Sequence, residues 1–303
     1  MVRVLPALRK KMEKLGIEYD VAVTKGPGHG RELAADAAAR GVYGVLACGG
    51  DGTVNNVASG LIGTDTAMGI IPTGSGNGLA RHFGIPIDLD RSLKIIAEDN
   101  IICSDYGTAD GRPFFCTFGV GFDAKVSELC ARERRRGVMM YLKHAISEYI
   151  KFTPEEYIIE VNGSVISEHA FLVVCCNASQ YGNNAFIAPS ASVTDGELDI
   201  TIVHAGNLIQ HAIAGIDIMA GLIRKNAFVH TVRASSFRII RKSESVAHID
   251  GDALQMPAVI EVVCHHSKLN VFAPTKETMF RPIITPTALF MRDVGLTIKK
   301  IFS

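Results

Sequence analysis

A glycine cluster separates an apolar run from a helix-like segment early in this chain of 303 residues. Residues 42–47 are apolar, residues 49–53 read Gly-Gly-Asp-Gly-Thr, and residues 54–62 have helical spacing. A buried strand that ends in glycines and opens into a helix exposes backbone N–H groups, against which a phosphate can lie at the positive end of the helix dipole. The pattern predicts a phosphate site on a strand-to-helix turn.

A second cluster repeats this arrangement. Residues 67–71 are apolar, and residues 72–81 (Pro-Thr-Gly-Ser-Gly-Asn-Gly-Leu-Ala-Arg) lead through small residues into another helix. Ligands of open α/β sheets bind at the carboxyl ends of the parallel strands. We therefore expect the two turns to frame one site in a parallel α/β domain.

Two polar residues of the first turn suggest chemistry beyond a passive bend. Asp51 supplies a carboxylate that can order Mg²⁺ or a lysine near phosphates, and Thr53 supplies a hydroxyl at the N-cap of the helix. The alternative is a tight turn in which both residues only cap the helix, since glycine-rich turns are common.

Both turns resemble the catalytic-domain family shared by diacylglycerol kinases, sphingosine kinases and bacterial lipid kinases. The similarity continues at residues 193–199 (Val-Thr-Asp-Gly-Glu-Leu-Asp) and 249–252 (Ile-Asp-Gly-Asp), so it covers roughly residues 15–274. The resemblance implies transfer of phosphate from ATP, with Mg²⁺, to a lipid hydroxyl. By position, the nucleotide would be bound by Thr24, Gly49, Gly50, Asp51, Gly52, Thr53, Asn55, Gly74, Ser75, Gly76 and Asn77.

The resemblance also implies roles for acidic residues. Asp252 matches the acid assigned as proton acceptor, although it is one methylene shorter than the usual Glu; Asp250 is a second candidate, and Asp51 would organise Mg²⁺ or the acceptor. Without the resemblance, residues 250–252 read equally well as a charged turn between strands. A structural metal would be held by Ser192, Asp195 and Glu197, where the residues alone favour a hairpin turn.

One departure concerns the start of the chain. The family normally begins with an additional strand ending in an Asn-Pro-x-x-Gly phosphate loop, whereas here residues 6–15 already have the character of the helix that should follow it. A lost phosphate loop would remove charge-assisted hydrogen bonds of about 1.5–3 kcal/mol each. Either this sequence starts inside a longer protein, or the protein lacks this edge of its nucleotide site. For the second case, the alternative is a catalytically weak or inactive lipid- or nucleotide-binding homologue.

The rhythm of the sequence changes near residues 103–112. Before this point strands and helices alternate, with a strand expected at residues 19–24; after it, short extended runs predict an antiparallel β-sandwich or open barrel. We divide the chain into a nucleotide-binding α/β domain (1–105) and a β-rich lipid-substrate domain (106–274), with the active site between them. Residues 275–303, including a helix-like 289–302, are expected to return to the first domain.

The composition limits which binding partners and which cellular compartment are expected. Lys+Arg and Asp+Glu are equal at 31 each, so no basic surface for nucleic acid is expected. The seven cysteines include no Cys-x-x-Cys pair, which favours a reducing compartment. No apolar stretch of about 20 residues and no signal-peptide core is present, which predicts a cytoplasmic protein that touches membranes at most peripherally. Residues 132–136 are a basic run beside an apolar one, which could meet anionic headgroups or simply end a solvated helix.

The acceptor stays open between diacylglycerol and a sphingoid base, because residues 74–77 look closer to the sphingosine-kinase version. NAD kinase shares Gly-Gly-Asp-Gly-Thr and a two-domain build, but we find no downstream Asn-Glu pair resembling its second motif. The expected partner is a lipid at a membrane surface, and a homodimer is compatible with the sequence.

Overall fold

The computed structural model describes residues 4–133, 138–275 and 282–284. Its helices, in chain order, are α1 (Leu5–Leu15), α2 (His29–Ala39), α3 (Asp51–Leu61), α4 (Gly78–His82), α5 (Leu89–Ala97), α6 (Phe122–Ala131), α7 (Val138–Tyr149) and α8 (Leu208–Ala220). Its strands are β1 (Gly44–Gly49), β2 (Ala67–Pro72), β3 (Ile101–Ala109), β4 (Arg112–Phe114), β5 (Thr117–Gly121), β6 (Glu155–Val161), β7 (Ser164–Cys176), β8 (Leu198–His204), β9 (Val229–Ala234), β10 (Ser236–Ile240), β11 (Ser245–Ile249), β12 (Asp252–Met256) and β13 (Val259–Phe272).

The first half is a parallel α/β unit, as predicted. β1 and β2 run parallel and in register from Gly44 opposite Ala67 to Gly49 opposite Pro72, so both glycine clusters begin at the same edge of the sheet. Every residue of β2 is buried, which is typical of a parallel strand covered on both faces. Helices α2 and α3 pack closely, because a Cβ added at Gly60 would lie 2.4 Å from the carbonyl oxygen of Arg31.

The strand predicted at residues 19–24 is wrong. These residues lie outside every strand of the described chain, and the ladder of β1 in that part of the chain is with β2. Val21 and Val23 are exposed. An extended segment becomes a strand only when a neighbouring strand accepts its hydrogen bonds, and periodicity alone does not supply that neighbour.

The second half is antiparallel, and its fold class is also confirmed. β7 pairs with β6 along its first part and with β5 and β8 along its second part. The large side chains between these strands form one buried core, which includes Phe114, Phe118, Tyr157, Ile159 and Ile200.

The two halves share a long strand. β13 pairs with β10 in the second half, with β3 along most of its length, and with β2 in the first half through Val271 and Met68. The register of β13 against β3 shifts between His265 and Leu269, as it does at a β-bulge. On either side of this shift, β13 pairs with strands of different halves. The mostly apolar runs at residues 259–263 and 269–272 predict two separate strands here, whereas the structure has one.

The end of the described chain lies against the second half. The backbone N–H of Ile284 donates to the carbonyl of Met219 (3.0 Å), near the end of α8. The expected helix at 289–302 falls outside the described residues. Within the described part, no helix is both long enough and apolar enough to cross a bilayer.

Candidate functional site

The two glycine bends touch each other through their backbones. A Cβ added at Gly74 would lie 2.4 Å from the Cα of Gly50, and one added at Gly50 would lie 3.0 Å from the Cα of Gly74. Real Cβ atoms do not approach that closely, so only glycine allows the two turns to meet. The prediction that the bends lie side by side is confirmed by this contact.

Asp51 fastens one bend to the other. Its Oδ2 accepts a hydrogen bond from the backbone N–H of Asn77 (2.8 Å), and its Oδ1 accepts one from that of Gly78 (2.6 Å). Charge-assisted hydrogen bonds of this kind are about twice as strong as neutral ones. The carboxylate therefore holds the start of α4 in place beside the start of α3.

The N-cap of α3 differs from our expectation. Gly50 occupies that position, and Thr53 is already the third helical residue. The Thr53 side chain packs beneath the first bend instead, since a Cβ at Gly49 would lie 2.3 Å from its Oγ1. Thr53 and Gly49 thus define the shape of the turn together.

Three predicted nucleotide-binding residues have structural partners. The Asn77 side chain is buried and bonds twice to Gly74, accepting from its N–H (3.0 Å) and donating to its carbonyl (2.8 Å). The carbonyl of Gly76 accepts from Arg81 Nε (3.0 Å). Asn55 donates from Nδ2 to Asp250 (2.6 Å). These contacts shape the second bend and join the bends to the second half.

One cavity of about 420 Å³ lies over the two bends. The backbone N–H groups in the first turn of a helix have no intrahelical partner, so the start of α3 offers donors to this space. Of the predicted residues, those that line the cavity are Thr24, Gly50, Asp51, Gly52, Thr53, Gly74 and Ser75. Those that do not are Gly49, Asn55, Gly76 and Asn77.

Gly26, Gly30 and Asn56 also line this cavity and were missed as site residues. Asn56 lies on α3 and donates to the carbonyl of Gly52 (2.7 Å). The glycine-rich loop at residues 26–30 was a signal that could have found two of them, because glycines before a helix often mark a close approach of the backbone to a ligand.

Asp250 reaches from the second half to the first. Its carboxylate accepts from the N–H groups of Phe115 (2.9 Å), Cys116 (2.7 Å) and Thr117 (2.8 Å), besides Asn55. Burial raises the pKa of Asp250 above its ordinary value, and these four hydrogen bonds oppose that rise. The result is a fixed carboxylate at the junction of the two halves.

Asp250 and Gly251 form the hairpin turn between β11 and β12. Both have positive φ, +48° and +86°, as the type I′ turn requires. Asp252 follows as the first residue of β12, opposite Ile249, and its side chain is exposed. Residues 250–252 therefore form a hairpin turn between strands. The carboxylate of Asp250, in the same turn, lies at the junction of the two halves.

Two of the predicted metal ligands, Asp195 and Glu197, lie beside a guanidinium group. Arg233 forms an ion pair with Asp195 and lies 3.4 Å from Glu197 through Nη1 and 3.6 Å from Asp199 through Nε. Ser192 instead contacts the hydroxyl of Thr194 (3.2 Å). No cluster of three His, Cys, Asp or Glu side chains suited to a metal occurs in the described residues. An organic cation thus lies beside Asp195 and Glu197, and the assignment of Ser192, Asp195 and Glu197 as metal ligands stays a prediction.

A buried polar triad in the second half was also missed. Asp123 Oδ2 accepts from the hydroxyl of Tyr181 (2.9 Å) and lies 2.9 Å from His248 Nε2. A Cβ at Gly119 would lie 2.4 Å from the same His248 nitrogen. Glycine inside a strand often marks such a close approach, and that signal was available in the sequence.

A loop of the second half closes over α4. Asn183 donates its N–H to the carbonyl of Gly76 (3.1 Å), and Asn184 accepts from Arg81 Nη1 (2.9 Å). His82 Nδ1 accepts from the N–H of Ser179 (3.1 Å), and burial lowers the pKa of His82 to about 4. The second bend is therefore held from both halves.

Known proteins share both halves. The family model of the diacylglycerol kinase catalytic domain matches residues 1–109, and that of the YegS C-terminal NAD kinase beta sandwich-like domain matches residues 116–273. The fold and these two matches define a two-domain nucleotide-binding protein of the kinase class.

Individual relatives carry the comparison further. A diacylglycerol kinase of Mycobacterium tuberculosis is 31% identical over 275 residues, which cover 84% of each protein. An uncharacterised Synechocystis protein is 28% identical, and the match covers 77% of this chain but 55% of that protein. The chain belongs to the diacylglycerol kinase and YegS family of lipid kinases.

Solved structures agree with this fold. A diacylglycerol kinase from Bacillus anthracis superposes with a TM-score of 0.63 at 20% identity, covering 83% of this chain and 84% of that one. An NAD kinase from Archaeoglobus fulgidus, solved in complex with ATP, gives 0.51 at 12% identity over 90% of each chain. The likeness to this NAD kinase is therefore a likeness of fold alone.

Proposed function

We propose that this protein transfers the γ-phosphoryl group of ATP to a hydroxyl of a long-chain lipid, diacylglycerol or a close relative. The observation that carries the proposal is the cavity in which Thr24, both glycine bends and the start of α3 meet. Family membership supports phosphotransfer, and the similarity to a diacylglycerol kinase and to probable lipid kinases favours a lipid acceptor.

The cavity suits the phosphates of ATP. Phosphoryl transfer depends mainly on positioning and on neutralising charge. The N–H groups at the start of α3 supply donors at the positive end of the helix dipole, and Ser75 in the second bend adds a hydroxyl group. Gly50 and Gly74 keep the floor of the site free of side chains, so the backbone can approach an anion.

Mg²⁺ would fit this site if it arrives with the nucleotide. Protein sites for nucleotide-bound Mg²⁺ commonly provide one or two carboxylates, with phosphates and water completing the shell. Among the described residues that line the cavity, Asp51 is the one with an acidic side chain. When bound, the ion would neutralise charge on the phosphate oxygens.

Asp250 is the better candidate for the general base. A base works best when its pKa is close to the working pH, and burial moves the pKa of Asp250 upward. Its four hydrogen bonds fix the carboxylate beside Asn55, one helical turn beyond Asp51. Asp252 is exposed on the following strand and is the second choice.

A labelled-ATP assay tests the proposal. The purified protein is incubated with [γ-³²P]ATP and Mg²⁺, and with diacylglycerol, sphingosine or NAD in separate reactions. We expect label on the diacylglycerol hydroxyl. Asp250→Asn should lower kcat by roughly 10²- to 10⁴-fold, the usual contribution of general base catalysis, and Asp252→Asn should lower it much less.

Thermal melting and ATP-binding measurements on both variants separate lost chemistry from a disturbed junction. Transfer to sphingosine alone would make the protein a sphingoid-base kinase, and transfer to NAD would refute the lipid assignment. ATP binding without transfer to any acceptor would favour the non-catalytic homologue.

A further inference from the structure

Helices α7 and α8 meet at the surface of the second half. The hydroxyl of Tyr149, at the end of α7, lies 2.9 Å from Nδ1 of His211 on α8, and the two rings are 5.6 Å apart. His211 also stacks on Phe171 at 3.9 Å. The inner faces of both helices are therefore anchored to the same aromatic cluster.

The outer faces next to this contact are apolar and exposed. On α7 and just beyond it, Ile146 is 65% exposed and Ile150 is 88% exposed. On the first two turns of α8, Leu208 is 63%, Ile209 70% and Ile213 47% exposed. We call these five residues the apolar patch. Clustered aliphatic side chains of this kind mark an interaction site, whereas single ones need no explanation.

Two exposed lysines flank the part of the apolar patch on α7, and Glu148, the acidic residue between Ile146 and Ile150 in the sequence, is less exposed than they are. Lys143 is exposed on the same face of α7 as Ile146 and Ile150, being three and seven residues before them, and exposed Lys151 follows directly. Residues 205–216, which include the start of α8, contain no Asp, Glu, Lys or Arg. Aliphatic side chains flanked by lysines are the combination that favours an anionic membrane surface.

The apolar patch is connected to the candidate base through the core. Beneath Tyr149 lies Phe122, with ring centroids 6.2 Å apart, and Phe122 follows directly on β5. β5 pairs with β11, the strand that ends immediately before Asp250. A surface held against a bilayer at this point would thus be rigidly joined to the strand that positions Asp250.

We propose that the apolar patch docks on the surface of an anionic phospholipid bilayer, with its isoleucines and leucine among the acyl chains and Lys143 and Lys151 at the headgroups. The inference rests on the proposed function in one respect, because a lipid acceptor resides in such a bilayer. It names the surface that brings the enzyme to that acceptor.

Vesicle co-sedimentation of the full chain tests this surface. The probes are vesicles of phosphatidylglycerol with phosphatidylcholine, and vesicles of phosphatidylcholine alone. The double variant Ile150→Asp/Ile209→Asp should partition onto the anionic vesicles roughly tenfold less than wild type or worse. The variant Lys143→Gln/Lys151→Gln should lose the preference for anionic vesicles. Val165→Asp is the matched control, because Val165 is 68% exposed on β7 and lies outside the apolar patch.

Activity assays keep this inference separate from the proposed function. With a short-chain diacylglycerol presented as monomers, the isoleucine double variant should retain wild-type kcat, while phosphorylation of diacylglycerol embedded in vesicles should fall about as much as binding does. If wild type phosphorylates no acceptor, the proposed function fails, and sedimentation still decides the fate of the apolar patch.

Three results would overturn the inference. One is wild type that does not sediment with anionic vesicles, and another is a double variant that sediments as wild type does. The third is a wild-type dimer in light scattering that becomes monomeric in the double variant while vesicle binding is unchanged, since a second copy would then cover this surface.

Discussion

The carboxylate of Asp199 is buried beside charges of both signs. The residue is 1% exposed, and neither of its oxygens has a hydrogen-bond partner. Arg233 Nε is 3.6 Å away and lowers the pKa of Asp199, but burial has the larger effect and raises it overall. The burial of ionised Asp199 therefore destabilises the folded state by more than the attraction to Arg233 stabilises it.

Asp199→Asn should stabilise the protein at neutral pH. A carboxyl group whose folded pKa is raised destabilises the folded state when it is ionised, so removing its charge should increase the free energy of unfolding at pH 7. The gain should shrink as the pH falls toward the ordinary Asp pKa of 3.8. Urea unfolding at a series of pH values measures it. Asp195→Asn, which alters the more exposed partner of Arg233, is the control and should not gain. A less stable Asp199→Asn at pH 7 would show that the attraction to Arg233 outweighs burial.

At the scale of elements, the strand-to-helix turns depend on backbone contact. Gly74→Ala should destabilise the protein by about 1–3 kcal/mol and abolish nucleotide binding, because its Cβ would lie 2.4 Å from the Cα of Gly50. Gly52→Ala is the matched control in the same site. A Cβ there meets nothing within 4 Å, and Ala in a helix is favoured over Gly by roughly 0.5–1 kcal/mol. Thermal melting and titration calorimetry with ATP compare the two. Normal ATP binding by Gly74→Ala would refute the need for close approach.

Elements with local signals were predicted well. The spacing of residues 89–98 predicts an amphipathic helix after Asp88, and α5 begins there with the Asp88 side chain accepting from the N–H of Arg91 (3.0 Å). The glycine clusters end β1 and β2 as expected. Elements that depend on a distant partner were not. Residues 19–24 have a strand-like composition but lack a ladder in the described chain.

At the scale of the whole molecule, the two halves are joined by a group that titrates. His82 accepts a hydrogen bond from Ser179 across the junction, and burial lowers its pKa from 6.5 to about 4. Between these values the unfolded chain binds more protons than the folded one, so stability must fall as the pH decreases. We expect a loss of up to about 3 kcal/mol between pH 6.5 and 4.

His82→Gln should flatten this part of the pH profile of the unfolding free energy. His29→Gln is the control, because the Nδ1 of His29 bonds to the N–H of Lys25 within the first half. Equal slopes for wild type and His82→Gln would mean that the protonation of His82 does not account for the loss of stability at low pH.

Through the family resemblance, the sequence indicated most residues of the cavity. By itself, the sequence determined the α/β and β-rich halves and the two glycine bends. These depend on short-range rules, namely the spacing of apolar residues and the steric freedom of glycine, which residues near one another in the chain satisfy. They are therefore readable before any packing is known.

Only the tertiary structure decided which groups each acidic residue contacts. Asp250 meets Asn55 across 195 residues of chain, and Arg233 meets Asp195 across 38. The sequence could not rank Asp250 above Asp252 or place a guanidinium among the predicted metal ligands. A carboxylate's partners, burial and pKa are set by groups that folding brings together, and the same residue type would serve as base, cap or ion-pair partner elsewhere.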